Sequence, residues 1–386
     1  MNPSGKKKIC FLSYRKVQCT VVDNFSKAAN NAGYDVTVIR LRGKGEKEYE
    51  IDGGRTFYKI SLCNRFHTYH FFNRLIFLWK AILIINRNRY SIVQITSTCS
   101  FFILIRLLTF FYAKSIFQIL SYPISSVLRK SQRRMLGTAF QCYFLDKVAV
   151  QSEELKRNWI GLRKFSRAIV IPVGFNKDDF YPGSIAERSR MRARFGLRED
   201  QPVLVYCGAI SHHRRIDYLI QAFKQVLDSQ PDVKLLMVGY GVALSDIKAL
   251  VKRMNIEEQV IFTGRVPYRY VRKLIAMADI GLSYIPVNNS YNYNPPLKTY
   301  EYMACGLATI ATNTESNCKV IIDGYNGSIA SDTPDDYAMA IKKLLTDKNL
   351  RTLIARNARN SILHYDFNYI SKKYFLPLYD ELLSSI

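Results

Sequence analysis

Asn294 to Gly327 reads NPPLKTYEYMACGLATIATNTESNCKVIIDGYNG. A Pro-Pro pair opens the stretch, a helical segment runs from Leu297 to Ala304, and Gly306 breaks it. Thr309 to Thr312 is a short β-branched strand, followed by a loop rich in Asn, Thr and Gly. Lys298 and Glu301 stand three residues apart, on one helical face near the helix start. Free backbone N–H groups and the positive end of the dipole at a helix start suit a phosphate. A carboxylate one turn in can accept hydrogen bonds from sugar hydroxyls. The stretch therefore points to an anionic, hydroxylated ligand; the plainer alternative is a helix carrying one surface ion pair.

Outward from this stretch, the second half keeps a strand-helix rhythm. Strands are expected at 202–208, 233–241, 259–264, 280–286 and 326–330. Helices are expected at 216–227, 244–254, 268–278, 334–346 and 349–361. Such alternation implies a parallel sheet covered on both faces. The first half starts the same way, with strand Ile9 to Ser13, helix 19–31 and strand 35–40. Residues 41–56 read as a polar loop and 57–60 as a strand. Further strands are expected at 92–96, 114–123, 147–152 and 168–174, with a basic helix at 125–141. The domain boundary falls near 173–198, where FNKDDFYPGS is loop-like. The segment 365–386 reads as a helix with a kink or start at Pro377.

Of 386 residues, 48% are hydrophobic and 23% charged, enough for two domains with separate cores. The 56 Lys and Arg against 31 Asp and Glu give a net charge of +25, most of it within 51–195. Such a field draws nucleic acid, anionic lipid or phosphorylated small molecules. The eight cysteines are scattered singly, without a CxxC pair, and several sit in hydrophobic runs as reduced thiols would. With no signal peptide, the cytoplasm is the expected compartment. The apolar runs 71–90 and 99–114 are interrupted by Arg74, Lys80 and Arg106, so neither is a transmembrane span. They read either as helices buried against the sheet or as surfaces partly facing a bilayer.

Ligands of open parallel sheets sit beyond the carboxyl ends of the strands. Gly208, Gly239, Gly241 and Gly264 close successive strands there, and glycine permits close backbone approach. Arg214 and Arg215 precede the helix at 216 and can clamp a diphosphate; the alternative is a solvated basic loop. His212 and His213 have no third ligand, so no metal site is expected. His67 and His70, in an aromatic loop, read as structural or acceptor-side groups. GxGxxG, GxSxG, HExxH and P-loop signatures are absent from the sequence.

The pattern P-x-K-x-x-EYMACG-x-x-x-IAT…E…I-x-DG-x-NG, from Pro296 to Gly327, resembles the retaining family 4 glycosyltransferases. VLVYCGAI…DYLIQAF, LLMVGYG, VIFTGRVP and IPVGFNKDDFYP extend the resemblance over 170–345. The first half is similar only loosely, in its opening strands and in SIVQI and KVAVQSEELK. The resemblance implies an α/β GT-B fold: two Rossmann-like domains facing a central cleft. Residues 1–172 would bind the acceptor and 173–364 the nucleotide sugar, with helix 365–386 packing back on the first domain.

Carried over by position, Glu301 matches the glutamate that binds the ribose hydroxyls, and Arg214 the basic residue that holds the diphosphate. Lys298 matches a commonly basic position. These three form the expected catalytic set. Gly208, Arg215, Gly239, Gly241, Val266 at the nucleobase pocket, Tyr293 and Thr299 join them on the donor side. The family's usual arginine after Gly208 is Ala209 here, and its second glutamate, eight positions before Glu301, is Tyr293. The first-domain histidine is Ser121, which with Tyr122 would face the acceptor.

The implied reaction transfers a sugar from a UDP- or GDP-sugar to a hydroxyl of a glycan or polyprenyl-linked acceptor, with retention and without metal or cofactor. The enzyme would sit peripherally on an anionic cytoplasmic membrane face. Nucleic acid is not an expected partner, because the aromatics lie in apolar runs and no recognition module is present. A non-catalytic sugar-nucleotide-binding protein and a GT-B-fold epimerase are the alternatives.

Overall fold

The computed structural model describes residues 7–16, 20–62, 70–96, 103–108, 113–121, 128–159, 161–162 and 165–385, with backbone alone at 70, 71 and 128–131. The chain divides into two compact units, Met1–Val173 with Phe367–Ile386, and Gly174–Asp366.

In the first unit the described elements are β1 (Lys8–Ser13), α1 (Thr20–Asn31), β2 (Asp35–Leu41), β3 (Tyr49–Asp52) and β4 (Arg55–Ile60). Then come α2 (His70–Asn88), β5 (Ile92–Thr96), α3 (Ile103–Leu108), β6 (Lys114–Ile119), α4 (Leu128–Cys142), β7 (Lys147–Val150), α5 (Glu153–Asn158) and β8 (Ala168–Val170). The strands form one sheet in the order β3-β4-β2-β1-β5-β6-β7-β8. All neighbours are parallel except β3 and β4. Buried runs such as Ile9–Leu12 and Ile92–Val93 mark central strands covered on both faces.

The expected loop at 41–56 instead contains β3 and the start of β4, a hairpin turning at Gly53 and Gly54. Every residue of β3 is exposed, so no apolar alternation marks it. Lys59 on β4 pairs with Glu50 across the hairpin. Of the apolar run 99–114, residues 103–108 and 113–114 are described, and they form α3 and the start of β6.

The C-terminal segment belongs to this unit. Phe375 stacks on Phe25 with centroids 4.3 Å apart, and the Tyr379 hydroxyl donates to Gln94 Oε1 at 2.8 Å. The helix widens into a π turn over Ser371–Phe375 before Leu376–Ser384. Pro377 lacks an N–H and its ring crowds the preceding turn, which accounts for the break in regular bonding.

The second unit starts with a helix absent from the sequence expectation, α6 (Ile185–Arg194), inside the span 173–198 where the domain boundary was placed. Ser184 Oγ caps it by accepting from Glu187 N at 3.2 Å. Its Arg192 is fully buried and donates to the carbonyls of Met277, Arg198, Glu199 and Gln201 and to Asp279. Asp279 also accepts from Val203 N at 2.8 Å, so α6 is fastened to the sheet through a partly buried ion pair.

The sheet comprises β9 (Val203–Cys207), β10 (Lys234–Val238), β11 (Val260–Gly264), β12 (Ile280–Ser283), β13 (Ala308–Thr312) and β14 (Ser328–Ala330). Its order is β11-β10-β9-β12-β13-β14, all parallel. The strand order reverses between β9 and β12, the switch point where open α/β sheets hold ligands. The connecting helices are α7 (Ile216–Leu227), α8 (Leu244–Arg253), α9 (Tyr268–Ala276), α10 (Leu297–Ala304), α11 (Glu315–Cys318), α12 (Pro334–Thr346) and α13 (Lys348–Ile362). Among the described cysteines, Cys10, Cys142, Cys207 and Cys305 are buried thiols and Cys318 is exposed.

Candidate functional site

The candidate residues of the second unit gather at the carboxyl ends of β9 to β12. After β9 the chain makes a short 3-10 turn, His212–Arg214, and enters α7 through Arg215, whose φ of 48° is left-handed. Arg215 is exposed and its guanidinium lies 3.4 Å from the centre of its own helix's Tyr218 ring. Arg214 is half-buried, 5.5 Å from the centre of the Tyr291 ring and near buried Tyr206, whose hydroxyl donates to the Ala209 carbonyl at 3.2 Å. The two arginines are thus seated on different rings rather than forming one fork, and Arg214 is the one held by the protein interior.

Helix α10 is not a surface helix. Every residue from Lys298 to Ala304 is buried. Lys298 is 5% exposed; its ammonium donates to the Tyr284 carbonyl and lies 4.1 Å over the Tyr206 ring. Burial, and then the nearby Arg214 charge, hold its pKa well below the ordinary amine value. Glu301 is also 5% exposed, and its Oε1 accepts from the Tyr268 hydroxyl at 2.6 Å. Burial raises its pKa to about 7, against the lowering effect of the Tyr268 bond. The surface ion pair that the helical spacing allowed is therefore not what this helix carries. Lysine and glutamate each have a separate uncharged partner in a low-dielectric interior.

Thr299 also turns inward. Its hydroxyl is 2.6 Å from Ser283 Oγ and 2.9 Å from Asn317 Oδ1. Asn317 Nδ2 donates to the Thr312 carbonyl at 2.9 Å, and its N–H to Thr314 Oγ1 at 3.2 Å. This buried network locks α10 to β12, β13 and α11, and gives the Thr299 hydroxyl its partners inside the fold. The preceding loop is tied down as well. Asn292 Oδ1 accepts from Glu315 N at 2.9 Å, and its carbonyl accepts from Ser316 N at 3.1 Å. Tyr293, next in the chain, is half-buried.

The glycines after β10 have a reason inside the protein. A Cβ on Gly239 would come 1.9 Å from the Gly208 carbonyl oxygen, and one on Gly241 would come 2.1 Å from that of Ile210. Gly208 N and Ile210 N donate to the Val238 and Tyr240 carbonyls, so the β9 and β10 loops run in direct backbone contact. Val266, half-buried, follows Arg265, whose guanidinium stacks 5.1 Å over exposed Tyr240.

Ser121 is an exposed bend after β6 in the first unit, while Tyr122 and His67 lie outside the described residues. Among the described residues no group of three His, Cys, Asp or Glu is arranged to hold a metal ion. Sequence reasoning missed Tyr206, Tyr268, Tyr284 and Tyr291, the aromatic floor under the charged groups. The available signal was tyrosine at or just beyond strand ends, at 206 and 284.

Family models match most of the chain in two blocks. Residues 187–361 match "Glycosyl transferases group 1" and residues 19–179 match "Glycosyltransferase Family 4". This chain belongs to the GT-B-fold glycosyltransferases. It is accordingly an enzyme that moves a sugar from a nucleoside-diphosphate sugar to an acceptor. The glycosyltransferase is 25% identical to an uncharacterized glycosyltransferase of Methanocaldococcus jannaschii over 388 residues, 95% of each chain. N-acetyl-alpha-D-glucosaminyl L-malate synthase of Bacillus anthracis is 30% identical over 178 residues, 46% of this chain and 44% of that one. In fold it is similar to sucrose-phosphate synthase from Thermosynechococcus elongatus, with TM-score 0.82, 19% identity and coverage of 99% and 100% of the two chains. HepE of Anabaena, solved in complex with UDP and glucose, gives TM-score 0.77 at 17% identity over 98% of this chain and 100% of HepE.

Proposed function

We propose that this glycosyltransferase transfers a hexose from a UDP- or GDP-sugar to a hydroxyl of a glycan or lipid-linked glycan, with retention of anomeric configuration and without a divalent ion. The observation that carries the reading is the Glu301 carboxylate, buried at the switch point of the sheet, with Lys298 one turn before it and Arg214 beside the same Tyr206 ring. HepE, solved with UDP and with UDP-glucose, supports a uridine donor.

In this reading 173–364 binds the donor and 1–172 the acceptor. Glu301 accepts hydrogen bonds from the ribose hydroxyls, Val266 lines the base, and Arg214 faces the diphosphate. Burial disfavours the charged form of Lys298, and the diphosphate's negative charge favours it as the donor approaches. Both cations then stabilise charge that grows as the bond between the anomeric carbon and phosphate oxygen breaks. The acceptor oxygen bonds the anomeric carbon from the same face, and its proton passes to the departing phosphate oxygen. No histidine is required for that transfer.

The first unit supports a peripheral place on an anionic membrane surface, in polysaccharide or glycolipid synthesis on its cytoplasmic side. Phe72, Trp79 and Leu83 are exposed along α2, and Leu136 and Phe140 along α4 beside exposed Arg133 and Arg134. No described helix is long and apolar enough to cross a membrane.

The test is incubation with a panel of UDP- and GDP-sugars, with and without membrane extract as acceptor source, in the presence of a chelator. Nucleoside diphosphate released only with acceptor, and a mass-shifted α-linked product from an α-linked donor, are expected. Sugar hydrolysed without acceptor would mark an epimerase-like reaction instead. Flotation with anionic liposomes at physiological salt tests the membrane; protein left at the bottom of the gradient would count against it.

A further inference from the structure

Glu301 has one hydrogen-bond partner for its carboxylate among the described residues, the Tyr268 hydroxyl on Oε1. That leaves Oε2 to accept from elsewhere. Tyr268 is the first residue of α9, directly after Pro267, and is itself 41% exposed. Its ring leans on Phe180, with centroids 5.4 Å apart. A buried carboxylate with a single, solvent-reachable donor is not a sealed structural contact, because buried polar groups that serve only the fold have their bonds completed within it. The phenol also sits two residues after Val266, on the same turn of chain.

We infer that Tyr268 is a positioning residue of the donor site: by donating to Oε1 it fixes the Glu301 carboxylate in the orientation that offers Oε2 to the vicinal hydroxyls of the ribose. This rests on the proposed role of Glu301. It adds a residue that reaches the nucleotide through another side chain, and it joins the base wall at Val266 to the ribose contact. A nucleobase that seats correctly on 264–267 keeps Tyr268 in reach of Glu301, whereas one that displaces this segment withdraws the bond that orients the carboxylate.

The second effect is on protonation. The phenol hydrogen bond favours the ionised carboxylate, the form with lone pairs free for two hydroxyls, while burial disfavours it. The groups around Glu301 leave this titration legible. Cys207, pushed up to about 12, and Cys305 and Tyr302, raised further by burial, stay protonated near neutrality. Arg272 is held by Glu187, and Arg359 by the carbonyls of Phe180 and Ala304. Lys298 on the same helix has a lowered pKa, and its ammonium is bonded to the Tyr284 carbonyl rather than to Tyr268.

The experiment compares the pH dependence of donor KM and of kcat for the parent, Tyr268→Phe and Glu301→Gln, using UDP-glucose or whichever sugar nucleotide the panel identifies. Tyr268→Phe keeps the ring on Phe180, and an unchanged melting curve checks that it folds. The parent's donor KM is expected to rise as pH falls through about 7, as the carboxylate protonates. Tyr268→Phe should raise donor KM roughly tenfold at pH 7, the size of losing one hydrogen bond to a charged group, with kcat little altered. Its KM inflection should also move to higher pH, which a packing defect would not produce. An inflection left where the parent has it overturns the inference, even if KM rises. If Glu301→Gln keeps the parent's KM and inflection, the proposed role of Glu301 fails first. If Glu301→Gln abolishes the inflection while Tyr268→Phe leaves it in place, the role of Glu301 stands and that of Tyr268 falls.

Discussion

The Lys298 ammonium lies 4.1 Å from the centre of the Tyr206 ring, the same residue whose phenol feels the nearby Arg214 charge. One buried tyrosine thus underlies both proposed phosphate cations. Lys298→Met should therefore separate charge from packing, since methionine fills much the same volume without an ammionium to desolvate. Turnover is expected to fall by about 100-fold, the scale of removing one preorganised electrostatic contact. Stability should hold or rise, because an ammonium in an apolar interior is costly to bury. Parallel single-turnover kinetics and thermal melts check this, and unchanged turnover would remove Lys298 from the mechanism.

Glu301 gives a stability prediction with a definite sign. Its pKa of about 7 in the fold exceeds the ordinary value of 4.5, so between these pH values the folded state holds a proton that the unfolded chain releases. Its destabilising contribution is absent below pH 4.5, grows as pH rises, and is complete above about 7. Two to three units at 1.36 kcal/mol each amount to about 3 kcal/mol. Glu301→Gln should raise unfolding free energy by that order at pH 8 and by little at pH 4.5. Denaturant titrations at the two pH values measure it; equal shifts at both would contradict the linkage.

The alternation of strand and helix was legible in the second half because each element there buries an apolar face of the right period. What escaped the sequence were elements stabilised by charged or polar groups. Helix α6 lies within the span assigned only to the domain boundary, and Arg192 is its anchor, fully buried and surrounded by carbonyls and Asp279. Strand β3 has no buried residue to betray it. In the site, spacing gave the helix with Lys298 and Glu301, and the resemblance gave their roles. Neither could tell that the helix is buried on all sides, because Lys, Thr and Glu at 298, 299 and 301 look like a solvated face. The internal partners of Thr299 were illegible for that reason: Ser283 and Asn317 come from 16 and 18 residues away.

Gly239 tests the claim that glycine here serves the contact of two loops. Gly239→Ala places a methyl 1.9 Å from the Gly208 carbonyl oxygen, a backbone atom that cannot rotate aside. The β9 and β10 loops must part, breaking the Gly208 N to Val238 O bond of 2.9 Å. A loss of about 3 kcal/mol or more is expected, the range of overpacking with backbone displacement. Urea denaturation measures it, and a loss under about 1 kcal/mol would mean that the loops are not tightly registered.

Arg214 and Arg215 are adjacent in sequence and unequal in structure, so they make a matched pair of variants. Arg214 is half-buried, beside the Tyr206 phenol and 5.5 Å from the centre of the Tyr291 ring. Arg215 is exposed, and its guanidinium stacks on Tyr218 of the helix it starts. A cation held before the diphosphate arrives loses less freedom on stabilising the leaving group than a mobile one does. Screening by water and salt further weakens the exposed charge. Arg214→Ala should thus lower kcat by about 100-fold with a smaller change in donor KM, the pattern of a contact that strengthens as the phosphate departs. Arg214→Lys should recover only part of this, because an ammonium lacks the planar fork that meets a phosphate with two hydrogen bonds. Arg215→Ala should cost at least about tenfold less in kcat than Arg214→Ala. Steady-state kinetics of the three variants decide it: equal losses at 214 and 215 would restore the two-armed clamp that the sequence suggested, and no loss at 214 would leave the diphosphate without its proposed partner.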